Sequence, residues 1–219
     1  MVDIPLFPLS TVLFPGGTLP LHIFEDRYKQ MMGECIEQHT TFGVVLIKSG
    51  AEVGGPAEPH DVGTTARISR VQELDDGRLN LVAVGVERFR ILSILQSRPY
   101  MRADVEMLGD DDASPDPPAS VAAAQEVSKL YVDYYRLALA LTSQWQDRVG
   151  VPEQPAALAD FVATRIDTES ELKQRLLEMP SVSERLTTER ELLTQAVSVL
   201  AEQVAAARRS RYGGLGALN

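Results

Sequence analysis

Pro5-Leu-Phe-Pro-Leu9, Val12-Leu-Phe-Pro-Gly16 and Leu19-Pro-Leu-His-Ile-Phe-Glu25 follow one another at the start of the chain. Pro5, Pro8, Pro15 and Pro20 each fix φ and remove a backbone donor, so the stretch reads as edge segments and corners. Pro15-Gly16 has the residue order of a type II turn. Phe7, Phe14, Leu21, Ile23 and Phe24 read most simply as core residues. Glu25 and Arg27 stand where strand gives way to helix, and Glu25 suits the positive pole of a helix start. From Glu25 to Gln38, Tyr28, Met31, Met32, Cys35 and Ile36 recur at three- and four-residue steps, which predicts a helix with one apolar face.

Outward from this opening, residues 1–109 read as strands and turns. Phe42–Ile47 is a short apolar, β-branched run suited to a buried strand. Asp76-Gly77, between Ile68–Leu74 and Leu79–Ile91, predicts a hairpin whose dipeptide supplies positive φ angles. Gly85 inside the second arm predicts a bulge or sharp bend, as in a small barrel. The Gly- and Pro-rich stretch Lys48–Asp61 reads as a long loop. Residues 110–118 are acidic and proline-rich and read as a linker.

Beyond the linker, 119–212 is expected to be a helical subdomain, with 213–219 as a tail after Gly213-Gly214. Val127, Leu130, Tyr131, Tyr134, Leu137, Ala138, Leu141 and Trp145 form one stripe on a predicted long helix. A short helix is expected from Pro155 to Ile166. Thr168 with Glu171, and Ser181 with Glu184, have capping-box spacing and mark two further helix starts. The fold class expected is α+β, a β-rich subdomain followed by an α-helical bundle.

Composition narrows the function. Net charge is −10 and the isoelectric point is near 4.8. That balance argues against nucleic-acid phosphate as the main partner. A lone cysteine, Cys35, fits a reducing compartment. With neither a signal-peptide pattern nor an apolar run of membrane-spanning length, the expectation is a cytoplasmic protein without membrane association. No phosphate loop, nucleophile elbow or His-x-x-x-His pair occurs, so no enzyme activity, cofactor or metal is expected. Cys35 lies mid-helix beside Met31 and Met32, where cysteine packs as a small hydrophobe. Asp110-Asp111-Asp112 lacks the ligand spacing of a calcium loop. The tyrosines at 131, 134 and 135 have the spacing of helix packing, not of a base-stacking platform. His22 reads as a hydrogen-bonded core histidine.

The opening stretch, with Arg27-Tyr28, Gly63-Thr64, Ala66-Arg-Ile68, Asp76-Gly-Arg78, Gly85, Arg88-Phe-Arg-Ile91 and Pro99-Tyr100, resembles the Lon protease amino-terminal, substrate-binding domain family. A weaker continuation lies in Leu158-Ala-Asp-Phe-Val162 and in Leu172 to Glu178. The resemblance implies a PUA-like pseudo-barrel followed by a helical bundle. It also implies a stand-alone, non-catalytic relative without ATPase or protease parts, which recruits unfolded or damaged polypeptides, with a separate ATP-dependent protease as a further partner. A surface for such clients should be apolar and adaptable. Phe14, Leu19, Met31 and Met32 are the candidates, bordered by the loop containing Val53, Gly54, Gly55 and Pro56. The alternative, RNA binding on a PUA-like fold, is opposed by the charge, and small-molecule recognition by the lack of a cysteine-rich ligand domain. The oligomeric state stays open.

Overall fold

The computed structural model describes all residues except 1, 56, 97–98, 111–117, 143, 147–148 and 213–219. The expected linker therefore lies almost wholly, and the expected tail wholly, outside the described residues. Two compact units emerge: residues 1–111 with 163–180, and residues 112–162 with 181–219.

The first unit is built on β1 (Val2–Leu9), β2 (Thr18–Ile23), α1 (Asp26–Gln38), β3 (Phe42–Gly50), β4 (Ala57–Glu73), β5 (Leu79–Gln96) and β6 (Met101–Leu108). Its sheet runs β2-β5-β4-β3-β1-β6, and β6 pairs again with β5. That extra pairing closes β5, β4, β3, β1 and β6 into a barrel and leaves β2 attached outside the ring, on β5. The β1–β3 pair is parallel and every other pair antiparallel.

Two prolines inside β1 are accommodated because its neighbours flank different halves. Pro5 pairs with Arg102 of β6, and Pro8 with Val45 of β3; only Leu6 is matched on both sides. Side chains of β1 alternate between two cores. Ile4 and Leu6 join Val45, Phe89, Ala103 and Val105 inside the barrel. Phe7 and Leu9 join Tyr28, Met31, Met32 and Cys35 of α1 on the other face. The Phe89 ring occupies the space that Cβ atoms on Gly43 and Gly63 would need.

Phe14–Gly17 is the expected turn: the Gly17 amide donates to the Phe14 carbonyl at 2.9 Å, with Gly16 at φ 72°. This turn docks on Gly85. The Gly16 amide donates to the Gly85 carbonyl, and the Gly85 amide to the Gly17 carbonyl, each at 2.9 Å. A Cβ on Gly85 would fall 2.2 Å from the Phe14 carbonyl oxygen, and the β4–β5 register shifts immediately beyond it. The β4–β5 hairpin differs from expectation in detail. Leu74 and Arg78 pair across three residues, and only Gly77 takes positive φ, at 75°. The expected 48–61 loop is mostly strand: Ser49 pairs with Glu58 and Gly50 with Ala57, so the connection is only 51–56.

α4 (Ser170–Glu178) belongs to the barrel unit, not to the expected helical subdomain. The cause is a set of polar ties. Buried Arg88 of β5 donates to the carbonyls of Leu177 (3.0 Å), Met179 (2.8 Å) and Gly109 (3.1 Å), and pairs with Asp110 at 2.6 Å. It thereby satisfies carbonyls at the negative end of α4. Gln174 donates to the Val62 carbonyl at 3.0 Å, and His60 lies between Glu171 and Glu178. The helix begins after Glu169, which makes no side-chain cap, so the Thr168 capping box does not form.

The second unit contains α2 (Pro118–Leu141), most of α3 (Pro155–Arg165) and α5 (Val182–Tyr212). Val127, Tyr131, Leu158, Val162, Leu186 and Leu193 are buried, and Tyr131 meets Phe161 edge-on at 5.2 Å. Ser181 caps α5 as expected, accepting from the Glu184 amide at 3.3 Å. The expected helical stripe overreaches at its end. Trp145 lies beyond α2 and is 77% exposed. On α5, buried Arg185 pairs with Asp160 at 2.8 Å. Glu189 is buried one turn further on. Burial pushes its carboxyl well above the usual carboxylate range; Arg185 opposes this and Asp160 adds to it.

Arg88→Met should destabilise the fold by about 1–3 kcal/mol, because the carbonyls of Leu177 and Met179 at the end of α4 lose the buried donor that satisfies them. Urea denaturation measures the loss, and hydrogen exchange should show α4 amides opening first. Glu189 binds its proton more tightly folded than unfolded. Stability must therefore fall as pH rises from the unfolded carboxylate pKa through the folded one. Glu189→Met should remove part of that decline, so its gain in melting temperature over the parent should be larger at pH 8 than at pH 5.

Candidate polypeptide-binding groove

The amino-terminal stretch converges on a groove of about 210 Å³ in the barrel unit. Buried Phe7, Leu9, Ile23 and Tyr28 line it, with Pro20, Leu21 and His22 of β2, Phe24 and Glu25 after β2, and Glu52 and Val53 from the β3–β4 connection. Phe7 and Tyr28 meet edge-on with ring centroids 4.4 Å apart, making a rigid aromatic base. The Arg27 guanidinium lies 4.4 Å from the Tyr28 ring centre. Burial pushes the Tyr28 hydroxyl pKa upward, with Arg27 opposing.

Acidic side chains fix the rim. Glu25 pairs with Arg27 at 3.0 Å and accepts from the Gly54 amide at 3.4 Å, tying the loop to the start of α1. Glu52 accepts from the Ser10 amide at 2.8 Å and from its hydroxyl at 2.5 Å. Two apolar side chains stay open to solvent beside these ties, Phe24 at 47% exposure and Val53 at 55%. The volume is below that of sites enclosing a drug-sized ligand and leaves room for about one or two apolar side chains.

The expected surface residues divide. Val53 is exposed on the rim, and Leu19 is half-buried, packed against the core. Phe14, Met31 and Met32 are core residues, with Met31 and Met32 at 0% exposure, so they cannot form an open patch. The reason lies in packing: α1 turns both methionines toward the sheet, and Phe14, held in the turn that docks on Gly85, is 1% exposed. Pro56 lies outside the described residues. Phe24, expected in the core, is on the surface: along β2 Thr18, Pro20 and His22 are exposed while Leu19, Leu21 and Ile23 turn inward, and Phe24 follows on the exposed parity. His22, expected in the core, is exposed. Its Nδ1 meets the Asn80 side-chain oxygen at 2.7 Å, and its Nε2 is 3.4 Å from Arg78. Tyr28 and Glu52 carry no site signal in the sequence: the first falls on the apolar stripe of α1, and the second has no motif.

Other chemistry is weak. Burial raises the Cys35 thiol pKa, which opposes nucleophilic use. A second cleft beside β1, about 450 Å³, has its polar groups mutually engaged: the Tyr100 hydroxyl donates to Glu34, and Arg102 pairs with Asp3 at 3.0 Å. Among the described residues no cluster of three or more His, Cys, Asp or Glu side chains is placed to hold a metal ion. No helix among them is long and apolar enough to cross a membrane.

The family of the ATP-dependent protease La (LON) substrate-binding domain matches residues 3–195. The chain belongs to that family. It is 29% identical over 199 residues to a Lon protease of Anaeromyxobacter dehalogenans and 29% identical over 199 residues to Lon protease 2 of Myxococcus xanthus. Each alignment covers 90% of this chain and 24% of the relative, so the chain spans about a quarter of the curated relatives it matches. A Lon N-terminal domain protein from Xanthomonas campestris superposes with TM-score 0.64 at 25% identity, over 86% of this chain and 96% of that one. The N-terminal domain of a Mycobacterium avium complex Lon protease gives 0.69 at 19% identity, over 88% and 98%, and supports the shared fold.

Proposed function

We propose that this member of the Lon substrate-binding family is a non-catalytic module that captures unfolded or damaged polypeptides, recruiting them for proteolysis or holding them. Its setting is cytoplasmic protein quality control, and its further partner is an ATP-dependent protease. The observation that carries the reading is the pairing of a rigid aromatic base with exposed Phe24 and Val53 on one rim. Folded proteins hide such side chains in their cores, whereas unfolded ones offer them for burial. Burying apolar area supplies roughly 25 cal/mol per Å², much of it offset by ordering the client, so micromolar affinity is expected. The attraction is mainly apolar and should persist at moderate salt.

Val53→Asp and Phe24→Asp should each weaken binding of a permanently unfolded, carboxymethylated protein about tenfold, equivalent to 1.4 kcal/mol. Both side chains are exposed, so stability should change by about 0.5 kcal/mol or less. Met32→Glu, by contrast, should destabilise the fold by several kcal/mol through burial of a charge. Fluorescence anisotropy and thermal melts of all three variants check this. Unchanged binding by both rim variants would place client capture elsewhere.

A further inference from the structure

Each strand of the closed ring has at least two strand partners, and β2 alone, among the described strands, has one; the end of β4, Arg67–Glu73, also pairs with β5 alone, but it does not border the groove. Which of its backbone groups face the open side follows from the register. Gly85 directs both its amide and its carbonyl to the Gly16–Gly17 turn. In an antiparallel pair such positions alternate with positions that point away from the partner. Thr18, Pro20 and His22, opposite Val84, Val82 and Asn80, are therefore the outward-pointing set, and Leu19, Leu21 and Ile23 bond β5. Two observations agree. Pro20 has no amide hydrogen to give β5. The Val82 carbonyl, opposite Pro20, instead accepts from the Ser69 hydroxyl of β4 at 2.9 Å. The edge thus presents amide donors at Thr18 and His22 and carbonyl acceptors at Thr18, Pro20 and His22.

Resting on the polypeptide-binding reading above, we propose how the chain is held: an extended client segment adds to the outer edge of β2 as a further strand, with an apolar side chain entering the groove. The groove is lined by consecutive residues of β2, from both of its faces, so it follows the strand's edge. Backbone pairing is blind to sequence, while the groove selects an apolar residue. Glu25 and Glu52 on the rim favour segments flanked by Lys or Arg. A second copy of this chain is the poorer occupant. Two-fold pairing of β2 about Pro20 would oppose two residues that lack amide donors, and two chains of charge −10 repel.

The test uses the whole protein and a synthetic nine-residue peptide of alternating valine and threonine with a lysine at each end, followed by anisotropy. Two further peptides carry N-methyl groups on one or the other alternate set of residues. Methylation of one set should weaken binding about tenfold while the other set changes it by about twofold or less, because only one set pairs with β2. His22→Pro, which removes an outward donor from an edge strand, should weaken the unmethylated peptide about tenfold. In the parent, the Thr18 and His22 amides should exchange more slowly once it is bound. Equal effects of both methylation patterns, or none, overturn strand addition and leave apolar capture of polypeptides standing. If neither this peptide nor a carboxymethylated protein binds, the polypeptide-binding reading fails with it. A dimer in sedimentation that His22→Pro dissolves would assign the edge to a second copy and overturn the proposal.

Discussion

Strand β5 pairs with three neighbours, and the architecture of the first unit rests on the corner that lets it do so. Over Leu79–Val84 it lies between β2 and β4; over Arg88–Arg90 it lies between β4 and β6, and from Ile91 it pairs with β6 alone. Along the edge opposite β4, its partner passes from β2 to β6 between Val84 and Arg88, where the β4–β5 register also shifts. Gly85 stands at this corner, where the Phe14–Gly17 backbone approaches too closely for any Cβ. The same junction seats the Pro15-Gly16 turn, aims β2 along β5 and so fixes where the groove opens. Closure of the ring and position of the groove are two consequences of one close approach.

Arg88 sits just past that corner and extends its influence to a helix far along the chain. A buried guanidinium needs acceptors for its donors, and the end of α4 supplies carbonyls that the helix itself leaves unused. Capping-box spacing at Thr168 and Glu171 predicts a helix start, and a helix does begin at Ser170 although the box does not form, yet such local spacing carries no information about which sheet or bundle that helix joins. The deciding atoms are polar and distant in sequence: Arg88 with Leu177 and Met179, Gln174 with Val62. This is why residues 163–180 read as part of a helical subdomain in one dimension and pack with the barrel in three.

The parts of the fold legible in sequence were those set by local chemistry. The Phe14–Gly17 turn, α1, the β4–β5 hairpin and the Ser181 cap all arise within a few residues. Burial was less legible where it depends on partners. Met31 and Met32 offered an adaptable surface in principle, but α1 lies on the sheet with both turned inward. Phe24 shows the opposite failure. An aromatic next to an apolar strand suggests core, yet Phe24 continues the exposed parity of Thr18, Pro20 and His22 and stays half exposed. The candidate site was thus readable as a region, through Val53 and the residues around β2, and misread in the individual side chains that face outward.

The groove's acidic rim serves two ends through the same atoms. Glu25 holds the loop by accepting the Gly54 amide and is itself held by Arg27; Glu52 holds it by accepting twice from Ser10. These contacts tie Glu52 and Gly54 of the β3–β4 connection to Ser10 and to the start of α1, on either side of exposed Val53. The loop is restrained by exposed or half-exposed polar bonds, each worth about 0.5–1.5 kcal/mol net, rather than by burial of its own side chains. If the groove takes polypeptide as proposed, the aromatic base of Phe7 and Tyr28 supplies constant apolar area, and the loop at Val53, restrained by a few polar bonds, adapts to the segment bound.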